Sequence, residues 1–83
     1  MENRVALIGI IVENPDSVAP LNAILHEYRE YIIGRMGLPY KPRNISVISV
    51  VLDAPGDVIN SLSGKLGMLD GITVKTLTTK QNG

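Results

Sequence analysis

Two stretches of this chain, RVALIGIIVE (Arg4 to Glu13) and ISVISVVLD (Ile45 to Asp53), are apolar at both parities. Successive side chains of an extended strand point to opposite faces. Val5, Leu7 and Ile11 therefore go one way, and Ala6, Ile8, Ile10 and Val12 the other. In the second run Ile45, Val47 and Val51 oppose Ile48, Val50 and Leu52. A strand that is apolar on both sides must be covered on both sides. Both runs are thus predicted to be central strands. The requirement is severe, because 83 residues leave little else with which to cover two faces.

What lies between them follows helical and turn rules. Asn14, Pro15 and Asp16 combine a strand stop with a helix start, with Asn14 or Asp16 as N-cap and Pro15 suited to a first helical position. A stripe of Val18, Leu21, Ile24, Leu25 and Tyr28 predicts a helix to about Glu30, with Asn22, His26, Arg29 and Glu30 on its polar side. Pro20 lacks the N–H required beyond the first turn, so a late or distorted start is expected. Tyr31 to Leu38 reads as an extended edge strand or a bulge, weakened by Gly34 and Gly37, and Pro39 to Asn44 as a turn. After the second central strand, Asp53 to Asp57 opens a helix with a Val58/Ile59, Leu62, Leu66, Leu69 stripe that ends at Gly67 or Gly71. Ile72 to Thr78, richer in Thr and Lys, is a second edge strand, and the terminal KQNG is expected to fray.

The order βαββαβ with right-handed crossovers is the ferredoxin-like sandwich, an α+β fold. Four antiparallel strands carry both helices on one face, and residues 1–83 make one domain, ordered from about 4 to 79. The second face of the sheet is then bare although its residues are apolar. Exposed apolar patches beyond a few hundred Å² mark interfaces, so a homo-oligomer packed through the open sheet face is expected.

Composition narrows the function classes. Hydrophobic residues make up 45% of the chain, but Phe and Trp are absent, so Ile, Val and Leu must build the core. Eight basic and eight acidic residues balance without a run of either sign, which argues against direct nucleic-acid binding. Without cysteine there is no disulfide, thiolate nucleophile or zinc ribbon. The N-terminal apolar run is too short to span a bilayer and has no signal-peptide pattern, so no membrane partner and a cytoplasmic location are expected.

Candidate sites are few. In YIIGRMGLPY, Tyr31 to Tyr40, Arg35 stands in an apolar run between Gly34 and Gly37. Either it is an edge-strand arginine turned to solvent, or the glycines make room for a ligand whose carboxylate or phosphate meets its guanidinium. On the second reading Arg35, Gly34, Gly37 and Tyr40 form the ligand site for a small anionic effector. The same fork could instead meet a glutamate of a neighbouring subunit. His26 and Glu30, one turn apart, are two ligands of a metal site without a third, and a solvated histidine is the plainer reading. The SGKLG segment, Ser63 to Gly67, lacks the glycine and the Ser/Thr of a phosphate loop and falls inside a helix. No catalytic set stands out, so no enzymatic activity is expected and no cofactor is indicated.

The chain resembles a family of small regulators attributed to the iron-only hydrogenase system, over about Arg4 to Thr76. The most specific parts are HEY at 26–28, YIIGRMG-P-Y at 31–40 and LSGKLG at 62–67. That family is similar in fold to ACT domains and to the C-terminal domain of the nickel-responsive repressor, both oligomeric modules that bind effectors or metal between subunits. The resemblance implies a stand-alone ACT-like module with a role in transcription regulation and an effector at a subunit interface. Without a ribbon-helix-helix segment in these residues, the module is not expected to grip DNA by itself. The nickel repressor's several histidines and cysteine are missing here, and the β1–α1 turn of ACT ligand sites is ENPDS in this chain. An alternative is an oligomeric assembly factor that meets hydrogenase-system proteins and takes no small ligand.

Overall fold

The two doubly apolar runs pair with each other along their whole length. In the computed structural model, which describes residues 2–79, strand β1 (Asn3–Val12) lies antiparallel to β3 (Ile45–Pro55), from Asn3 opposite Pro55 to Val12 opposite Ser46. Strand β2 (Ile32–Tyr40) adds outside β3, and β4 (Ile72–Thr78) outside β1. The sheet order is β2-β3-β1-β4, every pair antiparallel. Helices α1 (Val18–Glu27) and α2 (Gly56–Gly67) both pack on one face. This is the ferredoxin-like, ACT-like arrangement.

The core lies between that face and the helices. Ala6, Ile8, Ile10 and Val12 of β1 and Ile48, Val50, Leu52 and Ala54 of β3 meet Leu21 and Leu25 of α1 and Ile59, Leu62 and Leu66 of α2, all buried. Tyr28, Ile24, Val58 and Leu69 pack around its rim. Tyr28 closes one side: its hydroxyl shares a 2.8 Å hydrogen bond with that of Ser61, and the Lys65 ammonium sits 5.2 Å from the centre of its ring.

Element ends moved where backbone pairing overrode local signals. The helix expected to reach Glu30 stops at Glu27, because residues 28–31 turn the chain through i→i+3 bonds, such as Tyr31 N–H to Tyr28 C=O at 3.0 Å. The turn is anchored to the sheet, with Asp53 N–H donating to Tyr31 C=O at 2.9 Å. Pro39 and Tyr40, assigned to a turn by sequence, continue β2 opposite Ser46 and Ile45. An edge strand tolerates a proline whose missing N–H would face outward. Asp53 to Pro55, expected to open the second helix, remain in β3, where β1 offers Asn3, Arg4 and Val5 as partners. Pro20 fits because a short 3₁₀ turn, Pro15–Ser17, comes first and places it in the first turn of α1.

The β1–α1 turn docks on the turn before β4. Asn14 Oδ1 accepts from Asp16 N–H at 3.0 Å, while its amide donates to Asp70 Oδ2 at 2.9 Å. The Ser17 hydroxyl, buried, donates to Asp70 C=O at 2.6 Å. Gly71 is required here on two counts: its φ is +68°, and a Cβ would lie 2.6 Å from that of Asn14. The terminal KQNG, expected to fray, lies outside the described residues.

Candidate functional site

The placement of Arg35 is decided by one extra residue. Ile32 stands opposite Leu52 and Gly34 opposite Val51, so Ile33 is an insertion in β2 that has no counterpart in β3. Such a bulge shifts every later side chain to the other face. As a result Arg35 stands opposite core-facing Val50, and Gly37 opposite core-facing Ile48. Met36 and Leu38, opposite Ser49 and Val47, turn to the open face and are exposed. Without the bulge Arg35 would be on the open face.

On the helix side Arg35 reaches across to α1. Its terminal Nη2 donates to Asn22 Oδ1 at 2.6 Å. Around that bond lies a surface hollow of about 280 Å³, lined by Asn22, Leu25, His26, Arg29, Ile32 and Arg35. Arg29 is held as well: its Nη1 donates to His26 C=O at 3.0 Å, capping a carbonyl of the last helical turn. Two guanidiniums and an imidazole thus share one concavity floored by Leu25 and Ile32, and no carboxylate lines it. Among the described residues, neither arginine forms an ion pair. Such a set can take an anion, since a guanidinium offers several N–H donors in a fixed fork.

The four ligand candidates read from the sequence are not gathered into this hollow. Arg35 lines it, and Gly37 lies two residues along the same row. Gly34 faces the open side, and Tyr40, opposite Ile45, lines a separate hollow of about 150 Å³ with Val12, Pro15, Val18 and Asn44. A Cβ at Gly34 would touch nothing within 4 Å, and at Gly37 only Ile48 Cγ1 at 4.0 Å, so the room at these glycines is not filled by the chain itself. Asn22 and Arg29 are the residues that sequence reasoning missed. Their spacing from His26, four before and three after, puts them on one helix face, but nothing in the sequence brings β2 to that face. His26 and Glu30 gain no third ligand: among the described residues no group of three or more His, Asp or Glu could hold a metal. The SGKLG segment lies inside α2 and ends it.

The sequence profile described as "TM1266-like: Iron-only hydrogenase system regulator, putative" matches residues 4–76. The chain belongs to this family. Among solved structures, the uncharacterized protein TM1266 from Thermotoga maritima superposes with a TM-score of 0.91 at 36% identity, covering 95% of this chain and 100% of its own. Two more distant structures share the fold alone. A formyltetrahydrofolate deformylase from Pseudomonas putida KT2440 matches at 13% identity and TM-score 0.63, over 87% of this chain and 28% of its own. The de novo designed protein Foldit4 matches at 21% identity and TM-score 0.63, over 98% and 100%. No curated protein matches this chain. The TM1266-like family is described as regulatory, and no helix among the described residues is long and apolar enough to cross a membrane.

Proposed function

We propose that this member of the TM1266-like family is a cytoplasmic, non-enzymatic regulatory module. It binds a small anionic effector at Arg35 and acts on the iron-only hydrogenase system as a homo-oligomer. The observation that carries the effector reading is the concavity beside α1, where Arg35 and Arg29 stand with His26 and no carboxylate. Asn22 anchors Arg35, so part of the ordering cost is met before a ligand arrives. Gly37 and Gly34 leave the approach to β2 clear, and Tyr40 walls the second hollow at the far end of the strand.

The oligomer is assigned to the open face, with a second copy as its occupant. Val5, Leu7, Ile11 and Val47 are about two-fifths exposed there, and Met36, Leu38 and Leu77 more so. Together they present on the order of 600 Å² of apolar surface, at the top of the ~300–600 Å² reached by the largest patch of a typical monomer and approaching the ~800 Å² per partner of a standard interface. The face is also ridged. Gly9, in the row Met36, Ser49, Gly9, Lys75, leaves a shallow hollow of about 240 Å³ bordered by the ridge Val47–Ile11–Thr73. Two copies about a two-fold axis can set ridge into groove, and a formal net charge of zero puts no repulsion between them. The same surface favours a second reading, in which a protein of the hydrogenase system covers it.

A thermal-shift screen of carboxylate, phosphorylated and amino-acid metabolites, with Arg35→Ala alongside, tests the effector. A ligand at about 100 times its Kd should stabilise the fold by roughly 2.7 kcal/mol, and the shift should vanish in the variant. Sedimentation tests the oligomer. A monomer at micromolar concentration, with no ligand found, would transfer the open face to a hydrogenase-system protein.

A further inference from the structure

Resting on the reading of the Arg35 hollow as an anion site, we propose that its occupant is a compact dianion of the phosphate or sulfate type. It is held by Arg35 and Arg29 with the His26 imidazole as a third donor, and the site does not take a zwitterionic amino acid. The argument begins with what lines the hollow. Every ionisable group there is basic. An amino acid would bring an ammonium that loses water on binding and requires an acceptor in return. The side chains lining the hollow offer it only an imidazole nitrogen flanked by two guanidiniums and the Asn22 amide oxygen, which already accepts from Arg35 at 2.6 Å. An amino acid therefore gains at its carboxylate and loses at its ammonium.

A dianion of tetrahedral oxygens meets the opposite balance. Arg35 and Arg29 each commit one terminal nitrogen to the protein, to Asn22 Oδ1 and His26 C=O, and those bonds position the rest of each fork. Charge-assisted N–H···O bonds to phosphate-type oxygens are the strong ones, and guanidinium matches their geometry. The hollow's volume of about 280 Å³ suits a phosphate-sized group with a short substituent, below the ~300–1,000 Å³ of sites for larger ligands. Leu25 and Ile32 give it an apolar floor that weakens competition from water.

His26 supplies the third donor. The charged groups lining the hollow with it are Arg29, from the turn after α1, and Arg35 of β2. Glu27 and Glu30 are its neighbours in the chain but do not line the hollow. An imidazole carries a ring N–H that can donate to an anion oxygen.

The test is isothermal calorimetry on the whole protein with sulfate at one fixed pH. Inorganic phosphate, glycerol phosphate, acetate and L-alanine run alongside, with Arg35→Ala and His26→Ala as variants. Both positions are exposed, and an unchanged melting temperature confirms that each variant folds. Sulfate should bind wild type, His26→Ala should bind it roughly three- to tenfold more weakly for want of one donor, and Arg35→Ala should lose binding. Glycerol phosphate binding better than inorganic phosphate would mark a phosphomonoester, and the reverse order a free anion; either supports the dianion. Arg35-dependent binding of L-alanine or acetate without sulfate would overturn the dianion and leave the effector reading standing. Sulfate binding that is unchanged in His26→Ala would remove His26 from the site and overturn its part in the proposal. Silence from every probe would overturn this inference and the effector reading together.

Discussion

The two faces of the sheet are made from the same strands and nearly the same residues, yet only one has its cover. Ile8 and Ile48 on the helix side are buried, while their chain neighbours Leu7 and Val47 on the open side are about two-fifths exposed. The residue types do not differ; the cover does. The connections βαβ and βαβ both pass on the same side of a right-twisted sheet, so both helices land on one face. An apolar pattern thus states what a face requires. Whether the chain itself meets that requirement is a matter of topology.

The largest expected effect tests the covered face. Leu52→Ala, in a site with no exposure, should cost about 2–5 kcal/mol, read as a lower urea midpoint. Leu7→Ala should cost under about 1 kcal/mol at low protein concentration, since part of its side chain is already wet. Equal losses in the two would erase the contrast between the faces. Gly71→Ala comes next, at roughly 2–3 kcal/mol, because a positive φ and a Cβ driven against Asn14 act together. It probes the turn that ties the start of α1 to the end of α2; a stability within 0.5 kcal/mol of wild type, about the effect of a neutral surface change, would show that the turn relaxes freely.

Leu7→Lys sharpens the open side. The protomer's own stability should change by less than about 1 kcal/mol, but sedimentation velocity should show monomers where wild type should show the proposed oligomer, and any concentration dependence of Tm should disappear. A Leu7→Lys protein that sediments like wild type would locate the interface elsewhere. The smallest effect is at the rim of the covered face. Tyr28→Phe removes the bond to Ser61 and should cost about 0.5–1 kcal/mol in chemical denaturation, leaving oligomeric state untouched.

Much of this architecture was legible because its signals are local. The parity of β1 and β3, the Asn14–Pro15–Asp16 stop, the helix stripes and the thin, polar β4 each follow from a few neighbouring residues. The misplaced boundaries have a common cause. Residues 28–31, Pro39–Tyr40 and Asp53–Pro55 each took the state that a distant partner offered: Asp53 for Tyr31, Ser46 for Pro39, and Asn3 to Val5 for Asp53 to Pro55. The site was half legible. Arg35 between two glycines drew attention from sequence, but its companions Asn22 and Arg29 read there as a solvated helix face.

By itself, the sequence determined that two strands must be central, that the fold is a βαββαβ sandwich, and that one apolar face exceeds what two helices can cover. These follow from side-chain periodicity and chain order, which need no distances. Only the tertiary structure decided which way Arg35 points. A single unpaired residue, Ile33, sets the register of everything after it in β2, and register is a property of two strands together. That one step carries the guanidinium from the open face to the flank of α1, where Asn22, His26 and Arg29 stand around it.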